Sequence, residues 1–339
     1  MIVPSQTDPV AARQISLETI REAAATVYEA AIRTPLVRFD ATGAFLPPEG
    51  GSHRDLYLKL ETLQPIGSFK IRGAYNAVRH LTPAQRAGGV WTVSAGNAAQ
   101  GVALAARKAG CPASVLVMDT APATKLRAIE RLGARIVQVP YEECWRTVES
   151  HRSDRMEGQF VHPFDDDRFI SGNGTVGLEI VDDLPDVDAV IAPIGGGGLI
   201  AGAAVALKAL RPHVKVYAAE PATAAPLARS LTEGAASEFP GWTPSFVDGA
   251  GGRSVIGTMW PLLRHYVDGS IVVSLDEVAQ AMALLAERVH VIAEGAAGCA
   301  VAAALSPAFT ARGHRKVVAI VSGGNIDLTR FARLVGACA

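Results

Sequence analysis

The sequence predicts an α/β protein built on a mainly parallel sheet. Short apolar runs alternate with alanine-rich helical stretches, and the turns linking them carry glycine. The chain has 339 residues, 49% of them hydrophobic, enough for two ordinary domains or one large one.

The first helix reads from Leu17 to about Ile32. Ser16 is its cap, Ile15 and Ile20 stand at staple spacing, and Thr34-Pro35 is the expected stop. A Gly- and Pro-rich loop follows over 42–52, then a strand over Leu56–Leu60. Further strands are predicted at Val90–Val93, Ser114–Val117, Arg135–Val139, Ala189–Ala192, Lys215–Ala218 and Val317–Val321. Ala98–Ala109 and Thr124–Leu132 read as helices between them. In such sheets ligands sit beyond the C-terminal ends of the strands.

Composition excludes several classes of function. A formal net charge of −1 leaves no electrostatic footprint for nucleic acid or an anionic membrane. No charge-free run of about 18 apolar residues appears, so no membrane span is predicted. The first residues, MIVPSQTDPVAARQ, lack the basic-then-apolar order of a signal peptide, and Cys111, Cys144, Cys299 and Cys338 are widely spread. Free thiols and a cytoplasmic location are the expectation. Neither CxxC nor HExxH spacing occurs, so no metal is predicted. The absence of GxSxG leaves serine-hydrolase chemistry without support.

Four windows sit where chemistry is expected. In Gly67-Ser68-Phe69-Lys70-Ile71-Arg72-Gly73, Ser68 reads as an N-cap, which puts Lys70 in the first helical turn. There the helix dipole favours a neutral, nucleophilic amine. A surface lysine behind a cap has the same local sequence. Ser94-Ala95-Gly96-Asn97-Ala98 links a strand to a helix, as a carboxylate site or an ordinary turn would. Gly195-Gly196-Gly197-Gly198-Leu199 leads from a strand into a helix. It suits a phosphate, although a flexible loop would read alike, and it matches neither GxGxxG nor GxxxxGK[ST]. Ser322-Gly323-Gly324-Asn325 closes the last strand. His162 is the one histidine near a candidate site, and a structural role fits it.

Together these windows resemble the fold-type II pyridoxal phosphate enzymes, and within them the threonine/serine dehydratase and serine racemase group. The resemblance runs from about Thr34 to Asp327 and includes His162-Pro163-Phe164-Asp165-Asp166 and Gly174-Thr175 with Glu179. It implies two domains, each with a mainly parallel twisted sheet flanked by helices. Residues 1–85 and 165–339 would form the large one and 86–164 a small mobile one. It implies that Lys70 holds pyridoxal 5'-phosphate as a Schiff base, with Phe69 against the ring and Asn97 on the ring hydroxyl. Gly195, Gly196, Gly197, Gly198 and Leu199 would hold the phosphate, and Ser322 would face the pyridine nitrogen. Ser94, Ala95, Gly96, Asn97 and Ala98 would take the substrate carboxylate, with Lys70 and Ser94 as catalytic residues.

The activity implied is a lyase reaction: a β-hydroxy-α-amino acid, L-threonine or L-serine by default, goes to a 2-oxo acid and ammonia. A serine at the ring nitrogen cannot protonate it as an aspartate would, which favours quick loss of a β-substituent. Two departures from the group bear on this. Ala98 replaces the usual histidine, leaving room for a larger substrate such as L-threo-3-phenylserine. Ala95 replaces the serine that racemases use as a second acid. Glu220-Pro221 matches the start of the group's metal site, but Pro226 stands where its acidic ligand belongs. A homodimer is implied by the resemblance alone. A racemase, a β-replacement synthase and a non-catalytic sensor are the alternatives.

Overall fold

The computed structural model describes residues 10, 12–40 and 54–338. The loop read over 42–52 and most of the stretch before Arg13 lie outside the described residues.

The chain begins with α1 (Leu17–Val27), where Ser16 and Thr19 form a reciprocal capping box. Ile20 is fully buried and Ile15 packs beside it, so the predicted staple forms. The helix stops at Val27, short of the predicted Ile32. Tertiary hydrogen bonds override helix propensity there. Tyr28 donates to Glu179 at 2.6 Å, and the Gln64 amide pairs with both the N–H and the carbonyl of Ile32. Thr34 is no helix stop; it is buried and donates to Glu61 at 2.6 Å.

Next come β1 (Leu36–Phe39), β2 (Asp55–Leu60), α2 (Lys70–Arg79) and α3 (Pro83–Ala87). They are followed by β3 (Val90–Val93), α4 (Asn97–Ala109), β4 (Ala113–Met118), α5 (Ala123–Arg131), β5 (Arg135–Val139), α6 (Tyr141–Ser150) and β6 (Gln159–Phe160). The chain continues through α7 (Asp167–Asp183), β7 (Ala189–Pro193), α8 (Gly198–Leu210), β8 (Lys215–Pro221), α9 (Pro226–Glu233), α10 (Trp260–Tyr266) and β9 (Gly269–Val273). It ends with α11 (Leu275–Leu284), α12 (Gly295–Leu305), α13 (Pro307–Thr310), β10 (Lys316–Val321) and α14 (Leu328–Gly336).

Two sheets result. One has six strands in the order β1-β2-β10-β7-β8-β9, the other four in the order β5-β4-β3-β6. Every pairing is parallel except β1 with β2. The parallel class predicted from the sequence is therefore the fold observed. β3 and β7 are buried along their whole length because helices cover both faces, which is why they read as unbroken apolar runs. On the six-stranded sheet, Ala189, Ile191, Val317 and Ala319 pack toward the wholly buried α12. The alternate residues Val190, Ala192, Val318 and Ile320 pack toward α7 and α8.

Candidate active site

Loops following β3, β7 and β10 meet the start of α2. Phe69 is the N-cap residue of α2, and no side chain caps the helix. The predicted Ser68 cap is thus corrected: the helix boundary falls at Phe69, and Ser68 stands one residue outside it. Ser68 instead bridges to Gly323, and its buried hydroxyl has no hydrogen-bond partner among the described residues. Lys70 does fall in the first turn. Its Nζ donates to the Pro163 carbonyl at 2.6 Å and lies 5.2 and 5.3 Å from the ring centroids of Phe69 and Phe169. Burial lowers the Lys70 pKa to about 8, against an upward pull from Glu294. At pH 7 about a tenth of this amine is uncharged, far more than for a lysine in water.

The glycine run has a packing reason of its own. A Cβ on Gly196 would lie 2.1 Å from the Phe164 ring, and one on Gly198 would lie 2.7 Å from the Phe164 carbonyl oxygen. A Cβ on Gly195 would meet the Gly249 carbonyl oxygen at 2.6 Å. Gly197, at φ +90°, turns the chain into α8 in the left-handed region. No side chain caps α8, so its first N–H groups stay available to an anion. The start of α4 is similar: Gly96 is its N-cap residue and supplies no side chain. Ser94 turns back to accept from the Gly96 N–H at 3.1 Å.

Asn97 is tightly held. Its Oδ1 accepts from Asn325 Nδ2 at 2.8 Å, and its Nδ2 donates to Glu294 Oε1 at 2.7 Å. Glu294 is 6% exposed, and burial, reinforced by the charge of Asp248, pushes its pKa up to about 7. Ser322 is buried at the end of β10, and its carbonyl accepts from the Phe69 N–H at 3.1 Å.

Behind the site lies a buried ion network. Arg72, fully enclosed, donates to Glu61 through the Nε/Nη2 edge of its guanidinium and to Glu179 through the Nη1/Nη2 edge. Lys59 binds Glu179 at 2.7 Å. Burial works to raise the pKa of Glu179, but Arg72 and Lys59 outweigh it and hold the carboxyl below its usual range. His162 shapes the loop that presents Pro163. Its Nδ1 accepts from the Asp165 N–H at 2.7 Å, and its Nε2 lies 3.2 Å from the Val148 carbonyl. Burial, with His151 adding to it, lowers the His162 pKa to about 4, so the ring is neutral. Arg13 binds Asp165 and Asp167 at 2.8 and 2.6 Å and ties that loop to the chain start.

Sequence reasoning missed Glu294, Asn325 as a partner of Asn97, and the Pro163 carbonyl. Glu294 did carry a signal: it is an acid abutting a helix with no polar face, where an ionisable group must be paired or neutral. At the Glu220-Pro221 match, the Glu220 carboxylate accepts from the Leu227 and Ala228 N–H groups and from Ser270. These donors occupy both oxygens, and no second carboxylate stands at Pro226, so the residues present do not fit a cation there. Among the described residues no cluster of His, Cys, Asp and Glu is arranged to hold a metal ion, and no helix is long and apolar enough to cross a membrane. All four cysteines are free.

A family model described as pyridoxal-phosphate dependent enzyme matches residues 27–323. The chain is 40% identical to the L-threonine ammonia-lyase of Thermotoga maritima, over 95% of this chain and 78% of that protein. It is 42% identical to the serine racemase of Homo sapiens, over 81% of this chain and 83% of that protein. Among solved structures, maize serine racemase superposes with a TM-score of 0.84 at 34% identity, covering 96% of this chain and 98% of that one. Threonine deaminase isoform 2 from Solanum lycopersicum gives 0.84 at 32% identity, covering 94% and 92%.

Proposed function

The chain belongs to the pyridoxal-phosphate-dependent enzyme family, and from that premise we propose that it is a lyase removing water from a β-hydroxy-α-amino acid to give a 2-oxo acid and ammonia. The observation that carries the reading is the desolvated Lys70 amine set beside two uncapped helix N-termini. The residues present fit the cofactor. A phosphate suits the N–H groups opening α8, and the partnerless Ser68 hydroxyl is a buried polar group awaiting a bond. Lys70 would hold the cofactor through its amine, with Phe69 beside the ring, Asn97 at the ring hydroxyl and Ser322 at the ring nitrogen. When bound, pyridoxal phosphate supplies an electrophilic carbon for the substrate amine and a sink for the electrons left at Cα.

The chain's own residues do the rest. The α4 N-terminus with Ser94 orients the substrate carboxylate. Lys70 Nζ would take the Cα proton, for which a pKa near the working pH is suited. The β-hydroxyl would leave as water, carrying off the proton that Lys70 takes from Cα. The unsaturated amine that departs takes water back, so 2-oxo acid and ammonia are the net products. The segment from about residue 86 to 164 is read as a small domain that closes over the substrate and excludes water. Two bridges support that reading: Lys125 with Asp248 at 2.5 Å, and Arg253 stacked on Tyr141 at 5.4 Å.

L-Threonine and L-serine are the first substrates to try. The small Ala98 favours adding L-threo-3-phenylserine and L-threo-3-hydroxyaspartate to the panel. Racemase activity is the second reading because of the serine racemase relatives, but Ala95 offers no hydroxyl as a second acid. The test follows 2-oxo acid, ammonia and D-amino acid over this panel, with Lys70→Ala as control. Ammonia lost in Lys70→Ala supports the lyase; D-amino acid without ammonia replaces it with the racemase. Turnover that survives Lys70→Ala sinks both. A cytoplasmic homodimer is the accompanying expectation, checked by sedimentation and by fractionation.

A further inference from the structure

The orientation of Asn97 is forced by its neighbours. Asn325 Nδ2 donates to the Ile66 carbonyl at 2.7 Å as well as to Asn97. A carbonyl only accepts, so that atom of Asn325 is the nitrogen and the Asn97 atom facing it is the oxygen. The Asn97 nitrogen therefore faces Glu294, and one of its N–H bonds donates there. The other has no partner among the described residues.

Glu294 is built in closely. A Cβ on Gly323 would lie 2.7 Å from its Oε1, and one on Gly249 would lie 3.7 Å away. Its charged surroundings come from three elements: Lys70 opening α2, Asp248 in the turn Asp248–Ala250, and Lys125 of α5, paired to Asp248 at 2.5 Å. The proposed mechanism uses none of its atoms.

We propose that Glu294 is a positioning residue acting through Asn97, its carboxyl group fixing the amide and its proton setting how strongly the free Asn97 N–H donates into the cleft. An N–H shared with a carboxylate polarises the amide toward the anion, so the second N–H donates less well. A neutral Glu294 relaxes that pull and removes a negative charge from the surroundings of Lys70. Asp248 disfavours the anion and Lys125 favours it, so two surface residues tune a buried group from outside. The inference rests on the cofactor assignment above.

The test records the visible absorbance of the bound cofactor from pH 5.5 to 9.5, together with the affinity of the cofactor-free chain for pyridoxal phosphate. The wild type is expected to show one transition near neutrality. Asp248→Asn should move it to lower pH and Lys125→Met to higher pH, each by on the order of one pH unit at low salt. Glu294→Gln keeps an acceptor for Asn97 but has no proton to lose, so affinity should stay within about threefold while the transition disappears. Glu294→Asp should restore a transition. Asn97→Ala should remove it and weaken binding at least tenfold. A transition that persists in Glu294→Gln, or Asp248 and Lys125 variants that shift it the same way or not at all, overturns the proposal. A chain that binds no cofactor in any variant overturns the cofactor assignment instead, and the two failures are told apart by the absorbance itself.

Discussion

Replacing Arg72 by Met tests whether the buried ion network holds α2, and with it Lys70, in place. The two side chains have similar length, so little cavity is left. What is lost is charge and hydrogen bonding. The guanidinium donates at 2.7 and 2.8 Å to Glu61, at 2.6 and 3.0 Å to Glu179, at 3.0 Å to Thr175 and at 3.2 Å to the Ile32 carbonyl. Without it, Glu179 keeps only Lys59 as a paired cation, and fully buried Glu61 keeps none among the described residues. Leaving a buried charge uncompensated costs about 3–5 kcal/mol.

The sign of the pH dependence follows. Glu179, held below its usual pKa, contributes stability that is present above its unfolded pKa and lost as pH falls through the folded one. In Arg72→Met the Glu179 carboxyl loses its main counter-charge and takes up a proton more readily, so the deficit should shrink between pH 7.5 and 5.5. Urea denaturation followed by tryptophan fluorescence at both pH values measures it. Arg72→Lys, which keeps the charge but loses the two-carboxylate fork, should fall between. A loss under about 1 kcal/mol at pH 7.5, or a deficit that grows at pH 5.5, would refute the reasoning.

Other substitutions probe the site's edges. Ser68→Ala should leave the cofactor-free chain as stable or about 1 kcal/mol more stable, because an unsatisfied buried hydroxyl is removed, yet it should retain less cofactor on dialysis. Gly196→Ala should lower the urea midpoint and the cofactor content together, and adding Phe164→Ala should recover part of both, since the new methyl collides with that ring. His162 stays neutral down to about pH 4, so the native state binds fewer protons than the unfolded chain below about pH 6.5. Stability should therefore fall through that window by on the order of 3 kcal/mol, and His162→Asn should lack this component.

The parallel strands were legible because burial on both faces writes them as apolar runs; β3 and β5 match their predicted limits residue for residue. The strands that went unread, β1, β6 and β9, are edges or fragments. β1 puts Arg38 in mid-strand, β6 has two residues, and β9 opens on glycine with one face exposed. Lys70 was legible as a first-turn residue, but the reason given, a Ser68 cap, was not the one the backbone uses. The glycine run was legible as a turn, whereas its tight fit against Phe164 depends on a residue more than thirty positions away. Glu294 went unread because its partners, Asn97 and Asp248, lie far off in the chain. One acid before an alanine-rich helix looks like a capping residue.

The place of β10 in its sheet bears on how the protein is made. It is the last strand among the described residues, yet it lies between β2 and β7. Until residues 316–321 leave the ribosome, β2 and β7 each show an unpaired edge, and such edges invite pairing with other chains. The four-stranded sheet draws on one continuous stretch, residues 90–160, and can assemble during synthesis. Because Ser322 directly follows β10 and Glu294 bonds through its backbone to the same loop, the pocket exists only once residues 316–325 have been made and β10 is in place. A nascent chain is thus without its chemistry until β10 has docked, and products terminated before residue 316 would present two unpaired strand edges and no complete pocket.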